Sequence, residues 1–196
     1  GEPKAYNADS YAMMAKMGWA GIIIPEAHGG SNFGFLSAGL VVEELGKTLT
    51  ASPLVVSTIV ASAIVLGGSD QQKDKWLPKL ASGETVATLA VDEGPHYDPS
   101  AIETNVSDGK LTGKKAFVHE AHGADLFLVA AKDGLYLDAD RSFPDPARVL
   151  RRSSNRIGAR KPNAHSDDVL RGLSYKDCAV FPGCVKSMSV PEVSFR

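Results

Sequence analysis

Histidine and carboxylate side chains are the first candidates for chemistry in this chain, because they can bind a metal ion or transfer a proton. His119 and His122 are three residues apart, and Glu93 and His96 lie earlier in the chain. Two histidines at this spacing would share one face of a helix, but the residues around them have the composition of strand and loop. A closed zinc site also needs four well-placed ligands. We therefore expect no metal site.

Other combinations of reactive residues are equally unpromising. Glu43 and Glu44 are adjacent on a predicted helix, where neighbouring side chains diverge, so a solvated or salt-bridged face is a better interpretation than an acid–base pair. Cys178 and Cys184 lack the spacing of a redox motif. The sequence has neither a nucleophile-elbow serine nor a Walker phosphate-binding motif, so nothing in it supports a hydrolase or an NTPase.

Composition places the chain among globular proteins of one domain or two small ones. Its 196 residues are 43% apolar and 22% charged, and the net charge of -2 gives no general attraction to nucleic acid or membrane. The most apolar stretch, residues 53–67, is too short to span a bilayer. With two cysteines and no signal peptide at its start, the chain is expected in a reducing, cytoplasmic setting.

The first part of the chain is predicted to be almost entirely helical. Apolar periodicity, possible caps and glycine stops indicate four helices. The first three cover residues 7–17, 35–45 and 53–66. The fourth is capped by Ser69 or Asp70 and runs through Leu80. Asn7 or Asp9 is the expected cap of the first helix.

Strand composition replaces the helical pattern at about residue 84. Residues 85–91, 111–113, 116–118 and 125–131 are predicted strands, and residues 107–110 form a turn. The predicted fold class is therefore α+β, with an N-terminal α-helical domain over residues 1–83. A small β-barrel-like domain follows over residues 84–196, and its basic, loop-rich tail begins at about residue 141.

Five short motifs follow one another along the helical and β parts. They lie at Gly18–Gly30, Glu43–Gly46, Trp76–Glu84, Gly113–Phe117 and Ala124–Ala131. Each motif alone has little specificity. In this order and at this spacing they resemble the N-terminal and middle domains of acyl-CoA dehydrogenases, over about residues 7–140. The resemblance implies the partial fold of that family.

The resemblance also implies a chemistry. The family removes the α-proton of an acyl-CoA thioester with a glutamate, while FAD takes the β-hydride and passes electrons to an electron-transfer flavoprotein. In the family that glutamate belongs to a C-terminal four-helix bundle, which also supplies most of the oligomer interface. Residues 141–196 contain a single glutamate, Glu192, and no long amphipathic helix. The catalytic base is therefore unknown.

The flavin contacts that the resemblance implies fall on five residues. They are Val91, Asp92, Asp98, Phe117 and His119. Asp92 stands where the family has a flavin-contacting threonine, and Asp98 stands where it has a phosphate-contacting serine. A carboxylate beside a pyrophosphate repels it unless it is neutralised. Phe117 is expected to stack on the flavin, and His119 to donate to its ring in place of a threonine.

Two functions remain open. One is an FAD-dependent acyl-CoA dehydrogenase-like oxidoreductase that desaturates an acyl-CoA between Cα and Cβ. The other is a non-catalytic or truncated subunit that pairs with a full-length partner, which predicts exposed apolar surface on both domains. A homo- or hetero-oligomer is expected in either case, without nucleic acid or membrane as a partner.

The basic tail allows further interpretations. Eight arginines and lysines between residues 141 and 171 face three acids. A solvated, poorly ordered segment is the first interpretation, and a contact with the phosphates of coenzyme A is the second. Nucleic-acid binding usually needs stacking aromatic residues, and residues 148–173 have none.

Overall fold

The computed structural model describes Lys4 and residues 6–94, 98–107, 110–139 and 173–174. The predictions for His96, the 107–110 turn, the cysteines and the basic tail lie outside these residues wholly or in part. Within them, helices come first and strands follow, so the predicted α+β class is confirmed.

Four α-helices make up the first part of the chain, close to the predicted bounds. They are α1 (Ala8–Lys16), α2 (Gly34–Lys47), α3 (Leu54–Gly67) and α4 (Asp70–Ala81). The Asn7 side chain accepts a hydrogen bond from the Ser10 amide at 2.8 Å and caps α1. Ser69 and Gln72 form a reciprocal capping box at the start of α4. Caps that satisfy the first backbone N–H groups explain why these starts were predictable from sequence.

A buried turn connects α1 to α2. Ile22, Ile23 and Ile24 are at most 7% exposed, although they form no strand. Gly30 closes the turn, since a Cβ there would lie 2.0 Å from the Ile24 carbonyl oxygen. Gly29 has a φ of 81°, which a residue with a side chain rarely adopts. The two glycines of the motif are therefore required by the path of the backbone.

The strands form two three-stranded sheets. They are β1 (Ala87–Ala90), β2 (Asn105–Ser107), β3 (Lys110–Thr112), β4 (Leu126–Ala131), β5 (Gly134–Asp138) and β6 (Leu173–Ser174). In the first sheet β4 lies between β1, which is parallel to it, and β5, which is antiparallel. In the second sheet β3 lies between β2 and β6, both antiparallel.

The first sheet is buried on both faces. Leu126 and Leu128 on one face of β4 pack with the helices, in a core that includes Val60 of α3. Phe127 and Val129 on the other face belong to a second apolar cluster. Alternate residues of a strand point to opposite faces, so β4 needs apolar residues throughout. This sheet therefore joins the helical and β parts through a shared core. The predicted boundary near residue 83 stays a prediction.

The predicted strand at residues 116–118 is wrong. Residues 113–125, all of which the structure describes, form turns and irregular backbone. Phe117 has a φ of 54°, outside the β region. The Ala116 amide donates to the carbonyl of Asp92, two residues beyond the end of β1, at 2.7 Å, so this backbone is not bonded to a strand ladder there. Sequence composition did not reveal this long-range contact.

Candidate functional site

A cavity of about 320 Å³ lies beside residues 91–94 and 98–104, which we together call the 91–104 loop. Among the described residues, four acidic side chains and no basic one line it. The lining residues are Val91, Asp92, Glu93, Gly94, Asp98, Ala101, Ile102 and Glu103. The structure thus places Val91, Asp92 and Asp98, three of the predicted flavin contacts, around a space lined by carboxylates.

Glu93 and Lys115 form a buried ion pair at the base of this loop. Nζ of Lys115 lies 2.6 Å from Oε1 of Glu93, and the two side chains are 1% and 16% exposed. Lys115 also donates to the Val91 carbonyl at 3.0 Å. Both amides that follow Ile102 donate to Glu93, from Glu103 at 2.6 Å and from Thr104 at 2.9 Å. The carboxylate of Glu93, near the start of the loop, therefore accepts hydrogen bonds from the two residues at its end.

These contacts shift the pKa of both partners. Burial alone would raise the pKa of Glu93, but hydrogen bonds from Lys115, Thr104 and the Glu103 amide outweigh it and lower the pKa to about 2. Burial lowers the pKa of Lys115, and the negative charge of Glu93 partly offsets that effect. Lys115 is therefore engaged within the protein and is not free to neutralise an anion in the cavity.

Asp92 and Asp98 have different environments. Oδ1 of Asp92 is buried without a hydrogen-bond partner among the described residues. Asp98 is exposed and caps a short 3-10 turn over Pro99–Ala101, accepting from the Ser100 hydroxyl at 2.6 Å and the Ser100 amide at 3.0 Å. These bonds lower the pKa of Asp98.

Phe117 and His119 lie on the irregular segment that runs past β1. The Phe117 side chain is 45% exposed, and that of His119 is exposed as well. The His119 carbonyl accepts a hydrogen bond from the buried Thr88 hydroxyl, which fixes the segment to β1. Neither residue lines the cavity. The predicted site residues therefore occupy two neighbouring places, and not one continuous pocket.

FAD fits these residues only in part. Phe117 offers an exposed ring on which a flavin can stack. The cavity, however, presents Asp92, Glu93, Asp98 and Glu103 to any pyrophosphate, without a lining cation among the described residues. Two like charges 4 Å apart repel by about 4 kcal/mol at an effective dielectric constant of about 20. The described residues of the loop therefore do not fit the pyrophosphate of FAD.

Apolar side chains are also exposed on the helical part. Phe35, Leu36 and Leu40 of α2 are 65%, 81% and 57% exposed, and we call them the α2 face. No residue of α2 is fully buried. On the β part, Phe117 is the large apolar side chain exposed among the described residues. The helical part thus has the kind of apolar surface that a partner covers.

Metal-binding and membrane-spanning features are absent from the described part of the chain. No group of three or more histidine, cysteine or acidic side chains there is arranged to hold a metal ion. No helix there has both the length and the apolar character required to cross a membrane.

Comparison with known proteins confirms the resemblance to acyl-CoA dehydrogenases. Residues 2–84 match the family described as "Acyl-CoA dehydrogenase, N-terminal domain". Isovaleryl-CoA dehydrogenase of Bos taurus is 33% identical over 131 residues, which are 62% of this chain and 30% of that protein. The chain therefore spans less than a third of the length of this relative.

Solved structures support the same fold. An acyl-CoA dehydrogenase from Bacillus anthracis complexed with FAD is 25% identical, with a TM-score of 0.59 over 68% of this chain and 26% of that one. The ChsE4–ChsE5 complex from Mycobacterium tuberculosis is 28% identical, with a TM-score of 0.60 over 68% of this chain and 38% of that one. The chain has the fold of the first parts of an acyl-CoA dehydrogenase. Residues 2–84 are similar to the N-terminal domain of that family.

Sequence reasoning missed Lys115 and Thr104. Lys115 lies within the Gly113–Phe117 motif, and nothing in the sequence singles out Thr104. Thr104 is 2% exposed, and its hydroxyl donates to Glu93 at 2.5 Å. Thr104 and Lys115 are 11 and 22 residues from Glu93 in sequence, so no local pattern indicates that they bind it.

Proposed function

We propose that this chain is part of an acyl-CoA dehydrogenase-type oxidoreductase that desaturates an acyl-CoA thioester between Cα and Cβ. The oxidant of that assembly is FAD, and its electrons pass to an electron-transfer flavoprotein. The relationship to isovaleryl-CoA dehydrogenase and the family match of residues 2–84 support this class. We place the assembly in the cytoplasm, as the sequence composition predicts.

Within that assembly, we propose that this chain is a subunit that does not hold the flavin pyrophosphate. One observation carries this proposal: Asp92 and Asp98 face the cavity of the 91–104 loop together with Glu93 and Glu103. A phosphate brought there would meet like charge, with Lys115 already paired to Glu93. The exposed α2 face supports a partner chain, and the ChsE4–ChsE5 complex is a relative composed of two named chains.

A self-sufficient flavoenzyme is the second candidate. The exposed ring of Phe117 favours it, because a flavin could stack there while its phosphates lie elsewhere. The two candidates differ in how many flavins an assembly carries.

The test is to co-express this chain with an acyl-CoA dehydrogenase-type chain from the same genome and to count flavins by absorbance in the purified complex. Turnover is assayed with short-, medium- and long-chain saturated acyl-CoA thioesters. We expect one flavin for each pair of chains, and desaturation that requires the partner. The partner alone is the control for flavin content. One flavin on every chain would overturn the subunit proposal and favour the self-sufficient flavoenzyme.

A further inference from the structure

The two ends of the 91–104 loop meet at a single carboxylate. The Thr104 amide and hydroxyl donate to Oε1 of Glu93 at 2.9 Å and 2.5 Å. The Glu103 amide donates to Oε2 of the same residue at 2.6 Å. Glu93 therefore holds the end of the loop directly against its beginning, across ten residues of chain.

Lys115, on a different segment of the chain, also binds Glu93. Its ammonium group donates to Glu93 at 2.6 Å and to the Val91 carbonyl at 3.0 Å, with the side chain 1% exposed. The next residue, Ala116, donates its amide to the Asp92 carbonyl at 2.7 Å. Lys115 and Ala116 thus hold three successive residues at the start of the loop, namely residues 91–93, by hydrogen bonds.

Thr104 connects the end of the loop to the rest of the β part. The Lys132 amide donates to the Thr104 carbonyl at 2.9 Å. Gly113 lies so close that a Cβ there would be 2.2 Å from Oγ1 of Thr104. Contacts with Lys132 and Gly113 therefore fix the position of Thr104. The hydrogen bonds from Thr104 to Glu93 in turn fix the start of the loop.

We propose that Glu93 and Lys115 are a positioning pair that sets the shape of the cavity and the places of Asp92 and Asp98 around it. Glu93 lines the cavity itself, whereas Lys115 would affect which ligand group the cavity accepts only through the position of the loop. Burying an ion pair costs desolvation energy, and apolar replacements are often as stable, so stability alone is a weak reason for this pair. The inference holds whichever chain of an assembly carries the flavin.

The experiment compares loop shape with global stability in the full 196-residue chain. The variants are Lys115→Met and the double replacement Glu93→Leu with Lys115→Met. Lys114→Met, at the adjacent exposed lysine, is the matched control. Methyl signals of Ala101 and Ile102, which line the cavity, and hydrogen exchange of the Glu103 and Thr104 amides report the loop. Urea unfolding reports stability.

We expect Lys115→Met to lower stability and to shift the Ala101 and Ile102 signals. The double variant should recover only part of the stability, because no unpaired charge remains buried but the Thr104 amide and hydroxyl lose their acceptor. It should still show shifted methyl signals and exchange at Glu103 and Thr104 faster by about tenfold or more. Methyl signals that return to wild-type positions along with stability would overturn the proposal, as would wild-type signals in Lys115→Met.

A second comparison does not depend on that recovery. Ser57→Ala, on α3, removes a buried hydrogen bond outside the loop and is expected to lower stability as well. Only Lys115→Met should move the Ala101 and Ile102 signals. If Ser57→Ala moves them equally, the pair has a merely structural role.

Discussion

The hydroxyl of Ser57 on α3 lies 3.1 Å from both the nitrogen and the carbonyl oxygen of Ala87, the first residue of β1. Ser57 is 5% exposed and Ala87 is fully buried. Among the strands that the structure describes, β1 is at the edge of its sheet, so none of them neighbours its outward backbone groups. A single helical side chain therefore satisfies both the amide and the carbonyl of Ala87 and joins the helical part to the β part.

Ser57→Ala should lower the free energy of unfolding by about 1–3 kcal/mol, because the amide and carbonyl of Ala87 would be left buried without this partner. Ser62→Ala is the matched control. Ser62 is on the same helix, but among the described residues its hydroxyl donates to the Thr58 carbonyl of α3 itself and not to a strand. Urea unfolding of both variants measures the difference, and equal losses would mean that the contact with Ala87 contributes nothing.

Lowering the pH should decrease the free energy of unfolding, because Glu93 becomes protonated. Its pKa in the folded chain is about 2, below the ordinary value of 4.5. A lowered carboxyl pKa stabilises the fold above the unfolded-state value, and that contribution of about 3 kcal/mol disappears as the pH falls from 4.5 through 2. Glu93→Gln cannot titrate, so the stability gap between wild type and variant should close over this range. A gap that stays constant from pH 7 to pH 2 would contradict the assignment.

The helices were predictable because their signals are local. Asn7 and Ser69 cap helices within three residues of the amides that they bind. The path of residues 113–125 was not predictable in this way. It depends on bonds from Lys115 and Ala116 to Val91 and Asp92, which are far away in sequence. Strand composition around Phe117 therefore gave the wrong local structure, although Phe117 remains exposed enough to contact a ligand.

The candidate site was predictable in composition but not in arrangement. The sequence alone indicated that Asp92 and Asp98 would place negative charge where a phosphate is expected. It could not indicate that Lys115 is already engaged by Glu93, because that depends on a contact between two segments. This contact is what leaves the cavity without a lining cation among the described residues.

The α2 face should control association. Leu36 is 81% exposed, so Leu36→Glu should change stability by no more than about 0.5 kcal/mol while weakening self-association or partner binding. Ala12→Glu, at an exposed position of α1, introduces the same charge elsewhere and is the control. Light scattering coupled to size exclusion gives the assembly mass. Unchanged assembly in Leu36→Glu would show that the α2 face is not an interface.

FAD binding by the chain alone tests the central claim most directly. FAD is titrated into wild type and into the double variant Asp92→Thr with Asp98→Ser, and the flavin absorbance that survives desalting is recorded. Glu43→Gln with Glu44→Gln removes two carboxylates outside the loop and is the control for net charge. Wild type should retain no flavin, and the loop variant should bind FAD about tenfold more tightly or better, since each 1.4 kcal/mol of repulsion removed is tenfold in affinity. Flavin retained by wild type, or a loop variant that binds no better than the control, would contradict the account.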